Sequence, residues 1–138
     1  MIQQVELMLR SHSKGFHLIT DEVLRQLPRL PRVGILHLFV QHTSCGLAIC
    51  ENVDPYVRVD LDSIFNNLIK ECEAYYKHTM EGDDDMPAHA KSVLVGVDLN
   101  IPITNGQLNL GMWQGIYLCE FRNYGGSRKL VATVLGEE

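Results

Sequence analysis

The sequence predicts a single antiparallel α+β domain, mostly strands closing towards a sandwich or barrel, with two to three helices. Two observations carry that prediction. Period-two alternation of apolar residues recurs near both ends of the chain, including a run that breaks at Asn105-Gly106, a dipeptide suited to two-residue hairpins. The order of elements, β-α-β-(β)-α-α-β-β-β-β, also lacks the regular βαβ alternation of a parallel sheet. At 138 residues the chain has the size of one domain, so residues 1–138 are read as one unit. It is too short for a (β/α)₈ barrel, which takes about 250 residues.

The elements follow in order. Val5, Leu7 and Leu9 alternate with polar residues from Gln4 to Arg10, a half-exposed strand. Thr20 is placed to cap a short helix with Asp21 and Glu22 in its first turn, which Pro28 stops. Val33 to Gln41 is almost wholly apolar, the pattern of a strand covered on both faces. Asp54-Pro55 opens the clearest helix, and its apolar residues Val57, Leu61, Ile64, Phe65, Leu68, Ile69 and Cys72 recur at steps of three and four, predicting one buried face. Glu73 to Asp85 is polar. A further helix starts at Asp85-Met86-Pro87 and runs to Val93 or Leu94. Val97, Leu99, Ile101 and Ile103 then alternate, Gln107 to Leu110 returns, and Ile116–Phe121 and Lys129–Leu135 form another strand pair.

Composition excludes several classes of function. Hydrophobic residues make up 46% and charged residues 21%, as in folded proteins. Twelve basic against seventeen acidic residues give −5, so the chain as a whole has no attraction for nucleic acid. Four cysteines fall in no CxxC pair and lie mostly in apolar runs, which predicts reduced, buried thiols. No apolar stretch approaches the ~18 residues of a membrane span and no signal-peptide pattern is seen, so a cytoplasmic location is expected, without membrane contact. GxxxxGK[ST], GxGxxG, GxSxG and HExxH are absent, which disfavours P-loop, dinucleotide, elbow-serine and zincin chemistry.

The chemistry-bearing residues fall in two segments: His42-Thr43-Ser44-Cys45 with Glu51-Asn52-Val53-Asp54, and His78 through His89 around Glu81, Asp83, Asp84 and Asp85. His42, His78 and His89 could converge on one divalent metal if the fold brings the segments together; imidazoles suit zinc or manganese, whereas Asp84 and Asp85 suit Mg²⁺. Each has a plain alternative. His12, His17 and His37 read as structural, His37 packed beside Ile35 and Phe39. Asp85 can simply cap the helix at Met86, and Asp83 and Asp84 can form a solvated acidic face. Cys45 is a candidate nucleophile near His42, or a small buried residue. Trp113, between Gly111 and Gly115, can wall a pocket or fill the core. Arg128, after Gly125-Gly126-Ser127, can hold a phosphate or stand at a surface turn.

His42-Thr43-Ser44, Glu51-Asn52-x-Asp54-Pro55, His78-x-x-Glu81-Gly82-x-Asp84-Asp85-Met86-Pro87-x-His89, Gly111-x-Trp113-Gln114-Gly115-Ile116 and Gly125-Gly126-Ser127-Arg128 stand in one order. Together they closely resemble the YjbQ family of small proteins, also called secondary thiamine-phosphate synthases, over nearly the whole chain. The resemblance implies an α+β fold rich in antiparallel strands, a homotrimer with sites near subunit contacts, and a pocket around His42, His78 and His89. Cys45 and Met112 depart from the family pattern, which often has alanine and threonine there.

On that basis the expected activity joins a pyrimidine pyrophosphate to a thiazole phosphate. His42, His78, His89 and Asp85 would act in catalysis or hold metal, and Ser44, Trp113 and Arg128 would bind the phosphorylated substrate. Two alternatives use the same residues: metal-dependent hydrolysis of a small phosphorylated or acylated metabolite, and metabolite binding without turnover.

Overall fold

The computed structural model describes residues 1–138. In chain order the elements are β1 (Ile2–Met8), β2 (Gly15–Leu18), α1 (Thr20–Leu24), β3 (Val33–Val40), β4 (Cys45–Glu51), α2 (Pro55–Leu68), α3 (Asp85–Val95), β5 (Asp98–Thr104), β6 (Gln107–Leu108), β7 (Gln114–Glu120) and β8 (Lys129–Glu137). The fold is α+β, as expected. One sheet has five strands in the order β1-β8-β3-β5-β6 and the other three, β2-β7-β4, and their strand pairs are antiparallel. The four-residue strand β2 lies outside the strands that the sequence predicts; it is too short to show alternation and exists by pairing with β7.

The inner faces of the two sheets make the main core: Leu7, Leu36, Leu38, Ile101, Leu130 and Val134 from one side, Cys45, Leu47, Ile116 and Leu118 from the other. A second cluster, Phe16, Tyr117, Cys119, Phe121 and Ala88, lies on the far side of the small sheet, with Leu61 and Phe65 of α2 and Val95 of α3 packed on it. The order is therefore large sheet, small sheet, helices. The doubly covered strand is β7, not β3. Tyr117 and Cys119 alternate with Ile116 and Leu118 and belong to the second core cluster, and all four are buried. Strand β3 alternates instead: Leu36, Leu38 and Val40 are buried, while Val33, Ile35 and Phe39 lie on an open face. His37 shares that open face, with Nε2 3.0 Å from Asp98 Oδ2, rather than packing in the interior.

The local signals hold at some positions and yield to tertiary contacts at others. Asp54 caps α2 as expected, its Oδ1 accepting from Tyr56 N at 2.9 Å with Pro55 in the first turn. The two-residue turn at Asn105-Gly106 has positive φ at both positions and pairs Thr104 with Gln107. Thr20 does not cap α1; its Oγ1 accepts from Ile116 N at 2.9 Å, which ties the helix to β7. The α2 face is only partly buried: Leu61 and Phe65 pack, whereas Ile64 and Leu68 are exposed. All four cysteines are free; Cys45 and Cys119 are buried and Cys72 is exposed. No helix is long and apolar enough to cross a membrane.

Candidate functional site: a histidine–carboxylate centre at the start of α3

Helix α3 starts with Asp85, and His89 follows one turn later on the same face. Asp85 is not the cap. Asp84 holds that position, and the buried Asp85 carboxylate is used in tertiary contacts instead. Its Oδ2 lies 2.5 Å from His78 Nε2 and 3.1 Å from His89 Nε2. His78 arrives from the segment between α2 and α3, and the two rings stand 5.3 Å apart. The candidate ligand atoms of His78, Asp85 and His89 all lie within 4.8 Å of one another.

The tautomer of His89 follows from its other nitrogen. Nδ1 is 2.8 Å from the carbonyl oxygen of Thr43, so Nδ1 donates there. In a neutral ring the Nε2 lone pair then faces Asp85 Oδ2. Two acceptors 3.1 Å apart are compatible only with a cation shared by them, either a proton or a metal ion. Two imidazoles and a carboxylate form a donor set that suits zinc, manganese or iron.

Arg122 organises the carboxylates. Its Nε donates to Asp84 Oδ2 at 2.8 Å, its Nη1 to Asp85 Oδ1, and its Nη2 to the carbonyl of Glu81 at 3.1 Å. Asn123 N also donates to Asp84 Oδ2, at 2.9 Å. Burial works to raise the Asp85 carboxyl, but the bond from His78 and the charges of His89 and Arg122 outweigh it and hold it below the ordinary value. For Asp84 burial is likewise outweighed, by the Asn123 N–H and by Arg122. Arg122 takes Asp84 Oδ2 and Asp85 Oδ1, and the Asp85 oxygen left over lies between two imidazoles rather than beside a second open carboxylate, so the pair fits Mg²⁺ poorly.

His42 does not join this centre. Its Nε2 accepts from Lys129 N at 2.8 Å, and the ring borders a separate cavity of about 300 Å³ with Thr43, Ser92 and Val97. Burial, then the charge of Arg128, hold His42 below the usual imidazole value. Arg128 is no open phosphate site either. It is buried, its Nε donates to Glu120 Oε1 at 2.7 Å, and its Nη2 donates to Glu120 Oε2 at 2.5 Å and to Ser44 Oγ at 3.0 Å. Ser44, expected to bind substrate, is thereby committed to Arg128. The pair acts from beneath: it fixes Ser44, whose neighbour Thr43 orients His89. Burial drives the Cys45 thiol up to about 12, too high for a nucleophile at neutral pH.

Trp113 lies elsewhere. It precedes β7, whereas Glu120 ends it, and the six steps of about 3.3 Å from Gln114 to Glu120 separate the two ends by roughly 20 Å. At the Trp113 end, Asn52 N donates to the Trp113 carbonyl and Asn52 Nδ2 to the carbonyls of Met112 and Gln114. The motifs thus sort into two groups at opposite ends of β4 and β7, which pair Cys45 with Glu120 and Glu51 with Gln114. Sequence reasoning missed Glu120, Arg122 and the Thr43 carbonyl. Glu120 carried a signal, a charged residue inside the apolar run Ile116–Phe121; the Thr43 carbonyl carried none.

The family model described as UPF0047 protein YjbQ-like matches residues 5–137. The chain is 48% identical over 139 residues to the UPF0047 protein YjbQ of Escherichia coli O157:H7, covering 99% of this chain and all of that one. It is 40% identical over 88 residues to the UPF0047 protein YugU of Bacillus subtilis, 64% of each chain. Among solved structures, a conserved hypothetical protein from Thermus thermophilus matches with a TM-score of 0.80 at 36% identity, over 92% of this chain and 97% of that one. A YbjQ-like protein of unknown function from Sulfolobus solfataricus shares the fold, with a TM-score of 0.84 at 21% identity over 99% of both chains.

Proposed function

We propose, from the premise that this chain belongs to the UPF0047 (YjbQ-like) family, that it is an enzyme using a divalent transition metal at His78, Asp85 and His89 to hydrolyse a small phosphorylated or acylated metabolite. The observation that carries this reading is the His89 ring, whose Nδ1 is committed to Thr43 while its Nε2 faces a carboxylate oxygen. Held by His78, Asp85 and His89, a metal ion would supply Lewis acidity and a water acidic enough to serve near pH 7 as the nucleophile that the side chains lack. The chain's residues have separate duties. Thr43 sets the His89 tautomer, Arg122 keeps Asp85 ionised and turned towards the rings, and His78, with a side chain 45% exposed, leaves a way in from solvent.

Thiamine-phosphate synthesis is the competing reading. Departure of pyrophosphate calls for Mg²⁺ on open carboxylates, whereas Arg122 holds Asp84 and Oδ1 of Asp85 and leaves a single carboxylate oxygen beside two imidazoles, a donor set that favours a transition metal and hence hydrolysis. Metal titration of the purified chain tests the proposal: about one Zn²⁺ or Mn²⁺ per chain is expected, lost in His89→Ala. Absence of stoichiometric binding, or binding by Mg²⁺ alone, overturns it.

We also propose that the working form is a homotrimer. What supports this is Trp113, which is 59% exposed and roughly 20 Å along β7 from the Glu120 end: it is too far away to serve the histidine centre of its own chain and is free for a subunit contact. A monomeric mass by light scattering would rule this out.

A further inference from the structure

A groove of about 640 Å³ lies between the C-terminal end of α2, the following segment and α3, lined by Leu68, Ile69, Tyr75, Tyr76, Met86 and Ala90. Its volume falls in the range of small-molecule sites. Tyr76 and Met86 also wall the cavity of about 40 Å³ that His78 borders, so the groove abuts the histidine centre. Along α3, Met86 and Ala90 each follow a residue of that centre, Asp85 and His89.

The lining has a definite chemistry. The Tyr75 and Tyr76 rings stand edge to face with centroids 5.0 Å apart, and the Tyr76 hydroxyl donates to the Lys70 carbonyl at 2.5 Å, which fixes that ring. Tyr75 is 75% exposed. An exposed tyrosine ring, a second ring fixed against it and a thioether favour a flat π-system over an aliphatic chain. Lys70 and Lys77 against Glu73 give the groove one net positive charge in a chain of net charge −5. Lys77 is the chain neighbour of His78.

We propose that this groove binds an aromatic anion, an aryl phosphate or aryl carboxylate. Its ring lies against Tyr75, Tyr76 and Met86, its charge is met by Lys70 and Lys77, and its reactive end faces His78. The assignment of a reactive end rests on the function proposed above; the binding does not. A second copy of the chain is a poorer occupant, since interfaces are depleted of lysine and this groove carries Lys70 and Lys77.

Calorimetric titration of the full chain, stripped of metal with EDTA, tests the groove by itself. Phenyl phosphate and phenylacetate are compared with glycerol phosphate and acetate, which carry the same charged groups without the ring. Saturable binding of one or both aryl ligands is expected, about tenfold or more tighter than that of their ring-free partners, and the tighter aryl ligand identifies the anion. Tyr75→Ala removes an exposed side chain and should weaken aryl binding roughly 3- to 10-fold with the melting temperature unchanged. Lys77→Gln should weaken it too, and leave the aryl preference. Equal binding of ring-bearing and ring-free anions, indifference to Tyr75→Ala, or a change of oligomeric mass in that variant would overturn the proposal. Metal-free aryl binding in a chain that takes up no zinc or manganese would sink the hydrolase reading and leave the groove standing.

Discussion

His89 donates from Nδ1 to the carbonyl oxygen of Thr43, 2.8 Å away and 46 positions earlier in the chain. That one bond joins α3 to the β3–β4 connection and decides which imidazole nitrogen is left for Asp85. Behind it stands the buried ion pair of Glu120 and Arg128, which holds Ser44 and so the Thr43 peptide. The centre is therefore a surface group built on an interior support.

The two candidate ligand histidines should differ sharply from the third. His89→Ala and His78→Ala are each expected to weaken Zn²⁺ affinity about 100-fold or more, because each removes a ligand. His42→Ala should change it less than about threefold. Competition titration with a chromogenic chelator measures all three, and an equal loss for His42 would return that residue to the centre.

The support should be costly to break. Arg128→Met leaves Glu120 charged, buried and unpaired, and a loss of about 3–5 kcal/mol is expected in urea unfolding. A loss below about 1 kcal/mol would show that water reaches Glu120 after all.

Gly125 is expected to resist even alanine. A Cβ there would sit 2.6 Å from Glu120 Cδ, and that side chain is held by Arg128 with no free space to retreat into. Gly125→Ala should cost about 1–3 kcal/mol in urea unfolding, while Gly106→Ala, where nothing lies within 4 Å, carries only backbone strain from its positive φ.

His42 gives stability a pH dependence of known sign. Burial and the Arg128 charge hold it below its unfolded value near 6.5, so the unfolded chain takes up the proton first as pH falls. Its contribution is present above pH 6.5 and is lost as pH falls below that towards the folded value. Protonation also removes the lone pair that accepts from Lys129 N. His42→Asn should flatten the stability profile between pH 5 and 7; an unchanged slope in that variant would rule out His42 as its source.

Local signals in the chain, by themselves, determined the helix at Asp54-Pro55, the hairpin at Asn105-Gly106, the alternating strands and the start of α3. Each of these depends on residues within one or two turns of one another, where periodicity, capping and allowed φ act directly. The order of the motifs likewise carried the family resemblance. Only the tertiary structure decided that His78 and His89 meet at Asp85 while His42 turns to Lys129, that Arg128 is an internal support, and that Arg122, 38 positions from Asp84, organises the acidic cluster. Those contacts close loops of tens of residues, and one involves a backbone carbonyl that every residue possesses. No spacing rule distinguishes such a pair until two sheets and a helix layer have fixed which strand ends lie together.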